Sequence, residues 1–521
     1  MTKFTHHIQI KLQTKSLFFI CCFLMINMVV FAQNKGLDQK ISINLSQLSL
    51  ENALDSIAKK TNTYFTYDAS ILANKPLVNL VANEEILYDV LRQIVRDTTY
   101  DFQLINKQIL IIPSKLKNTI ANKVLKPQLK LKKIKGRITN KKNSKALAYA
   151  SIGIRGKAIG TISNIDGEFL FNINSEHFND TLTVSFIGFK TTEIPLNKID
   201  NEVNVELIEN LISLQEVVIR NTDPLALLKA SINNFNQNYP KRASLLKAFY
   251  RESVSKNKNY MIYLESILDI YKSPYESNNN QDMAKVFQSR KIYDTNRLDT
   301  VSLRLKGGVK GCLQLDIVKN KIDFLDPDNL HHYNFHLADI SSYDNHPVYI
   351  IHFQPKAKLS YPLMQGDLYI DTRSLAIIRA NFSYPLTRVR ETKHHFISHK
   401  SSKTKVRPLK IEYVVSYKKI NGKYFLNHTK GNLKFKVRHK RKFFAKTFET
   451  SFEMAVTKVD TNNIERFRYK ERLRPNTIMS RSRLPYDAKF WGSQNYIEPE
   501  ESIHQALKRI NANIQVAQKD N

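Results

Sequence analysis

Apolar residues recur with a helical period early in the chain and with a period of two later, and that change divides it. Between residues 41 and 112 a unit occurs twice: Leu54-x-x-Ile57-x-x-x-Thr61-x-x-x-Phe65 returns as Leu91-x-x-Ile94-x-x-x-Thr98-x-x-x-Phe102. Leu50, Leu54 and Ile57 share one helical face, as do Leu87, Leu91 and Ile94. Each copy follows a short alternating stretch, Ile41 to Leu45 or Leu77 to Val81, and leads into a strand around Phe65 or Phe102. Gln108 to Ile112 adds one more strand, so the pattern predicts two βαβ halves sharing one small sheet.

From Ile134 the alternation takes over. Strands are predicted at Ile134 to Ile138, Ala150 to Ile154, Leu182 to Phe189 and Val203 to Leu207, with a hairpin across Gly160 to Phe169. Asp166-Gly167 in that hairpin would supply the positive φ angles of a tight type I′ turn. Together these segments read as a small antiparallel β-sandwich. Asp223 and Pro224 then mark a helix start, with Leu225, Leu228, Ile232 and Phe235 as its apolar stripe.

Long strand-like runs follow: Leu246 to Val254, Tyr260 to Tyr271, Asp367 to Phe382, Ile411 to Tyr417, Tyr424 to Val437 and Phe444 to Val456. Phe444, Phe448, Phe452 and Met454 fall on one predicted apolar face. Residues 274–300 and 387–406 are polar and read as long loops. Lys310 to Leu315 reads as a strand start that places Cys312 in the core. The fold class is α+β multidomain and mostly β: a small βαβ-repeat domain (40–113), a basic linker (114–133), an antiparallel β-sandwich (134–208) and a connector (209–222). A large curved antiparallel sheet, a half-barrel with a few helices (223–480), precedes a tail (481–521). The tail carries Phe490-Trp491 and an amphipathic helix near Glu501 to Ile514, suited to cover an open sheet edge.

Three resemblances attach to these segments. The βαβ repeat resembles the short N-terminal (STN) domain of secretins and TonB-dependent signalling receptors, which implies a periplasmic protein-contact module without catalysis. Gly136, Gly160-Thr161, Asp166-Gly167-x-Phe169, Ser185-Phe-Ile-Gly-Phe189 and Leu214-Gln-Glu-Val-Val-Ile219 are similar to the carboxypeptidase-regulatory-like domain of Gram-negative envelope proteins. That resemblance implies no peptidase activity. The hairpin Leu368-Tyr-Ile-Asp-Thr-x-x-Leu-Ala-Ile-Ile-Arg379 resembles periplasmic lipoprotein carriers, whose curved sheet wraps acyl chains. A TonB-dependent transporter is excluded by length, since a plugged 22-stranded barrel needs far more chain than follows Leu211.

The first 32 residues carry Lys3, Lys11 and Lys15 and no acid, then the apolar run Leu17 to Val30 and Ala32. This order reads as a signal peptide cut after Ala32. A retained anchor is the alternative, but Asn27 interrupts a run already shorter than the roughly 20 residues of a spanning helix. Cys21 and Cys22 lie inside the run, not at its cleavage point, so they do not read as lipidation sites. The mature chain keeps only Cys312, and an intramolecular disulfide is impossible.

Charge sharpens the picture. The 521 residues hold 80 Lys and Arg against 47 Asp and Glu, a formal +33. Between Arg388 and Lys446 there are 19 cations and two acids. Lys434, Lys436, Arg438 and Lys440 alternate with Leu433, Phe435 and Val437, which puts the cations on one strand face and apolar groups on the other. Such a face suits phospholipid headgroups, lipopolysaccharide phosphates or an acidic protein; export makes nucleic acid a poor partner.

No catalytic or cofactor motif is present: there is no His-Glu-x-x-His, Gly-x-Ser-x-Gly, phosphate-binding loop or Ser-x-x-Lys set. His331-His332-x-x-x-His336 and His394-His395-x-x-x-His399 match no established metal-ligand motif, and no metal or other cofactor is expected. The sequence therefore reads as an exported, non-enzymatic envelope adaptor at the periplasmic side of the outer membrane, binding envelope proteins, with anionic lipid or lipopolysaccharide as a further partner. A lipid or lipoprotein carrier with an apolar cavity in 223–480 is the alternative, and an envelope hydrolase a third.

Overall fold

A computed structural model describes residues 36–66, 76–97, 99–105, 108–113, 130–210, 223–257, 259–276, 281–293, 304–305, 308–356, 359–399, 403–440, 443–462, 464–474 and 492–500. The leader, most of the basic linker, Phe490-Trp491 and the tail helix lie outside these residues. The chain divides into two compact units, Met1–Gln128 and Leu129–Asn521.

In the first unit each repeat is strand, helix, strand. β1 (Lys40–Leu48) leads to helix Leu50–Thr61 and β2 (Tyr64–Thr66); β3 (Val78–Ile86) leads to helix Leu87–Val95, then β4 (Tyr100–Ile105) and β5 (Gln108–Pro113). Ser49 caps the first helix by accepting from the Asn52 amide, and both helices end on a left-handed residue, Asn62 or Arg96. Leu45, Leu54, Ile57, Leu87, Leu91, Ile94 and Phe102 make one core. The repeats do not share a single sheet, however. β1 pairs with β3, while β2, β5 and β4 form a separate sheet, because each copy's first strand pairs with its counterpart and not with its own second strand.

The second unit opens with β6 (Leu131–Asn140), β7 (Ser151–Ile154), β8 (Gly160–Ile162), β9 (Glu168–Asn174), β10 (Thr181–Ser185), β11 (Thr192–Pro195) and β12 (Glu202–Leu207). They form two sheets, β12-β6-β9 and β11-β10-β7-β8, enclosing Ile134, Ile152, Phe169, Phe171, Leu182 and Val205. Two sequence expectations change here. The β12–β6 pairing is parallel. Asp166-Gly167 is not a hairpin turn, because β8 and β9 belong to different sheets. Only Gly167 has a positive φ, +77°, whereas a type I′ turn needs two such residues. The Asn164 side chain shapes the link instead, accepting from the amides of Asp166 (2.9 Å) and Glu168 (2.8 Å).

Asp223 caps helix Pro224–Asn233 as its sequence suggests, accepting from the Leu225 amide. Beyond it lie β13 (Ser244–Lys256), β14 (Asn259–Lys272), β15 (Met283–Tyr293), β16 (Arg304–Leu305), β17 (Tyr333–Tyr343), β18 (His346–Pro355), β19 (Gln365–Asp371), β20 (Ile377–Ser383), β21 (Ile397–His399), β22 (Thr404–Ile420), β23 (Lys423–His439) and β24 (Lys446–Asp460). Apart from the small β16–β21 pair, these make one antiparallel sheet of ten strands in the order β15-β14-β13-β24-β23-β22-β20-β19-β18-β17, which does not close on itself. The last strand, β24, sits beside the first, β13, so the fold is completed only when the far end of the chain returns.

Three local readings are corrected. Residues 283–293 are strand, not loop: the buried groups Ser289 and Arg290 are polar and find partners on β14, a pattern that hydropathy alone reads as solvent-exposed. Residues 387–406 hold a short helical stretch from Val389 to Phe396, β21 and the start of β22. Of Lys310 to Leu315, all but Leu315 fall in helix Gly308–Gln314, since a short apolar run has no period that separates strand from helix.

Candidate functional site

The two faces of the ten-stranded sheet have different fates. One face is filled by the chain's own segment from Gly308 to Leu325, which crosses several strands. Phe452 of β24 lies under Gly311. Tyr417 of β22 donates to Asp316 (2.8 Å) and accepts from the Val318 amide (3.3 Å). Phe324 stacks on Phe353 of β18, centroids 4.2 Å apart, and meets Phe382 of β20. Cys312, Ile317 and Phe324 are fully buried within this core. A closed ionic group holds the segment down: Lys272 contacts Asp282 and Asp316, each at 2.6 Å, and Lys319 pairs with Asp282. Every charge in that group has an opposite partner, so it reads as a clamp.

The opposite face is split along its length. Across β15, β14, β13, β24 and β23 the register sets Arg290, Glu265, Arg251, Glu453 and Lys430 directly side by side, a row of alternating charge. All five are buried. Glu265 accepts from Arg251 Nη2 (2.9 Å), from Arg290 Nε (2.7 Å) and from the Tyr263 hydroxyl. Glu453 accepts from His428 (2.9 Å) and lies 3.6 Å from Lys430. Burial alone would raise the pKa of Glu265, but Arg251 and Arg290 outweigh it and hold the carboxyl below its usual range.

This end is roofed by the sandwich and by residues 494–500. Tyr149 stacks on His428, centroids 5.1 Å apart, and accepts from Lys430 Nζ at 2.6 Å. Ile162 and Ile497 pack with Phe249, Ile267 and Ala455. Arg251 donates to the carbonyl of Ile497. The edge of the sandwich is joined to the sheet by a bridge between Ile159 and Lys458.

Further along the same strands the roof ends. Residues of β23 with the parity of His428 and Lys430 continue as Asn432, Lys434, Lys436 and Arg438, and they emerge into solvent while Leu433, Phe435 and Val437 stay buried beneath. On β22 the residues directly opposite are Lys410, Arg407 and Lys405. The open face therefore holds three cross-strand pairs of like charge, Lys434–Lys410, Lys436–Arg407 and Arg438–Lys405. Among the described residues two acids pair with it, Glu449 at 2.6 Å from Lys434 and Glu412 at 2.7 Å from Lys410. Like charges placed directly opposite are unfavourable by a few tenths to about 1 kcal/mol, so this arrangement is not explained by folding. β20 pairs only with residues 412–416 of β22, which leaves the stretch holding Pro408 free on that side and lets a strand tolerate proline.

The predicted site residues separate accordingly. Lys434, Lys436 and Arg438 lie together on the open face, and exposed Lys440 follows in the turn, its amide bonded to the Lys403 carbonyl at 2.7 Å. Phe448, Phe452 and Met454 are buried on the apolar face, but Phe444 is not: it is 86% exposed and its neighbour Phe443 is 96% exposed. Both sit in the β23–β24 turn, before strand parity starts at Lys446. Sequence reasoning missed Phe443 and the buried charge row; the first was signalled by two aromatics inside a basic turn, the second by nothing local.

Among the described residues the His331-His332-x-x-x-His336 motif does not assemble. His336 faces His352, whose Nδ1 is 2.7 Å from Asp367, while the rings of His331 and His332 meet at a tilt of 48°. Among the described residues no group of three metal-capable side chains converges. Also among them, no helix is long and apolar enough to cross a membrane.

Comparison with known proteins assigns part of the chain. Residues 134–219 match the CarboxypepD_reg-like domain family, in agreement with the motifs from Gly136 onward. No curated protein matches the chain. Among solved structures, an outer membrane lipoprotein-sorting protein domain from Vibrio parahaemolyticus aligns over 47% of this chain and 95% of its own, at 9% identity and a TM-score of 0.21. A DUF1329 family protein from Desulfovibrio piger aligns over 46% and 95%, at 12% identity and the same score.

Proposed function

We propose that this protein is a non-enzymatic adaptor of the cell envelope, exported and held at the periplasmic side of the outer membrane, that works through protein contacts and its open basic face. The carrying observation is the split along one sheet face. In the covered row across β15 to β23 cations alternate with acids; at the open end of β22 and β23 three cation pairs face one another, with Glu449 and Glu412 set against only the innermost pair. An anionic partner resolves that imbalance, and attraction of this kind weakens with salt. The CarboxypepD_reg-like domain roofs the face and thereby sets where it opens. The N-terminal repeat, with its resemblance to the short N-terminal domain of secretins, is read as a second contact module.

A carrier would need its apolar face vacant. Here Cys312, Ile317, Val318, Phe324 and Leu325 occupy that face, which favours the adaptor. Retention of the full chain on immobilised heparin, a polyanion, tests the basic face. Lys436→Glu/Arg438→Glu is expected to elute at markedly lower salt with an unchanged melting temperature. Elution at the wild-type salt concentration would refute the assignment.

A further inference from the structure

The open face ends in a turn whose two aromatic side chains stand almost wholly in water. Phe443 and Phe444 are 96% and 86% exposed, whereas the strand positions beside them, Val437 and Phe448, are buried. An isolated exposed apolar residue is ordinary, but two adjacent phenylalanines in the turn that ends the basic strands are a concentrated apolar point. Behind them the six paired cations of β22 and β23 form a grid. Rows are about 4.8 Å apart across strands and successive pairs about 6.8 Å apart along them, from ordinary strand geometry.

We propose that this arm docks on an anionic phospholipid bilayer, with the cation pairs against the headgroups and Phe443 and Phe444 inserted at the boundary with the acyl chains. The inference rests on reading the open face as the working surface, and it names the partner. The arrangement decides between a bilayer and an acidic protein. A protein interface keeps its centre apolar and its charge at the rim. Here the order is reversed, with charge over the broad face and apolar groups only at the leading tip. That order matches a bilayer, whose charge lies in the headgroup layer and whose apolar phase lies deeper. The two acids on the face, Glu412 and Glu449, sit next to Lys410 and Lys434, toward the sandwich-covered end. Lys436, Arg438, Lys405 and Arg407, nearer the tip, are set against one another by the register.

The test uses the full chain and two kinds of vesicle, one of phosphatidylcholine alone and one of equimolar phosphatidylcholine and phosphatidylglycerol. Sedimentation is expected with the mixed vesicles, falling as salt rises, and not with the neutral ones. Phe443→Ser/Phe444→Ser should weaken vesicle binding at least about tenfold, a lower bound for losing two apolar anchors, while leaving heparin retention and melting temperature as in wild type. Lys436→Glu/Arg438→Glu should lower both. Because all variants share the N-terminal leader, any contribution from it cancels in the comparison. A Phe444→Trp variant in a Trp491→Phe background should show fluorescence quenching by brominated lipid. Vesicle binding unaffected by the serine pair, or heparin retention without vesicle binding, would overturn the bilayer and point to an acidic macromolecule. Loss of retention on both supports would instead sink the underlying reading of the basic face.

Discussion

Glu265 is the residue whose neutralisation should be felt most. It is fully buried, and its two oxygens serve Arg251 Nη2 and Nε at 2.9 and 3.2 Å, Arg290 Nη2 and Nε at 2.6 and 2.7 Å, and the Tyr263 hydroxyl. Glu265→Gln keeps the shape but removes the charge and turns an amide NH2 toward a guanidinium, setting donor against donor. Removing one partner of a buried ion pair typically costs about 3–5 kcal/mol, because the remaining charge stays desolvated. With an unfolding entropy of about 2 cal/mol/K per residue, the unit Leu129–Asn521 should melt roughly 4–6 °C lower. Differential scanning calorimetry reads this directly. Glu449→Gln is the control: its pair with Lys434 is equally short, 2.6 Å, yet half-exposed, and should cost less than about 1 kcal/mol. If the two variants lose the same small amount, the buried row contributes no more than a surface pair and the reasoning is wrong.

Acid should unfold the second unit through the same groups. Burial pushes Glu265, Glu453 and Asp282 up, but their cationic neighbours more than reverse this and leave all three pKa values lowered. The unfolded chain then binds more protons at low pH, so this stabilisation is complete above about pH 4.5 and is lost as pH falls through the folded values. His428, whose pKa burial lowers despite Glu453, adds a loss that begins near pH 6.5. Urea midpoints measured at neutral pH and at about pH 5 and pH 3.5 should fall in that order; a flat profile would contradict it. Gly136→Ala would place a methyl 1.9 Å from the Val203 carbonyl oxygen and 2.7 Å from the Phe169 ring, and should cost about 1–3 kcal/mol or more, seen as a lower urea midpoint. Cys312 is fully buried, and burial raises its thiol pKa. A thiol reagent should therefore label it only in denaturant, and rapid labelling of the native protein would show that the segment from Gly308 to Leu325 opens.

Much of the architecture could be read from pattern because the signals are local. The helix begun by Asp223 and Pro224 and the cation–apolar alternation at 433–438 depend on neighbouring residues alone, and the structure shows both. The edge strand Met283–Tyr293 escaped because its buried residues are polar and only a partner strand reveals why. Helix Gly308–Gln314 escaped because seven residues carry no decisive period.

What the chain alone determined is sidedness: parity along a strand is geometric, so Lys434, Lys436 and Arg438 had to share a face opposite Leu433, Phe435 and Val437. What tertiary structure decided is the environment of that face. Lys430 and Lys434 are the same residue type on the same face of the same strand, four positions apart. One is buried under Tyr149 and set against a buried acid, Glu453; the other is half-exposed between Lys410 on one side and the half-exposed Glu449 on the other. Strand parity is short-range, whereas which residue lies opposite depends on the register of strands joined by distant parts of the chain, and which end is roofed depends on where a separate sandwich docks.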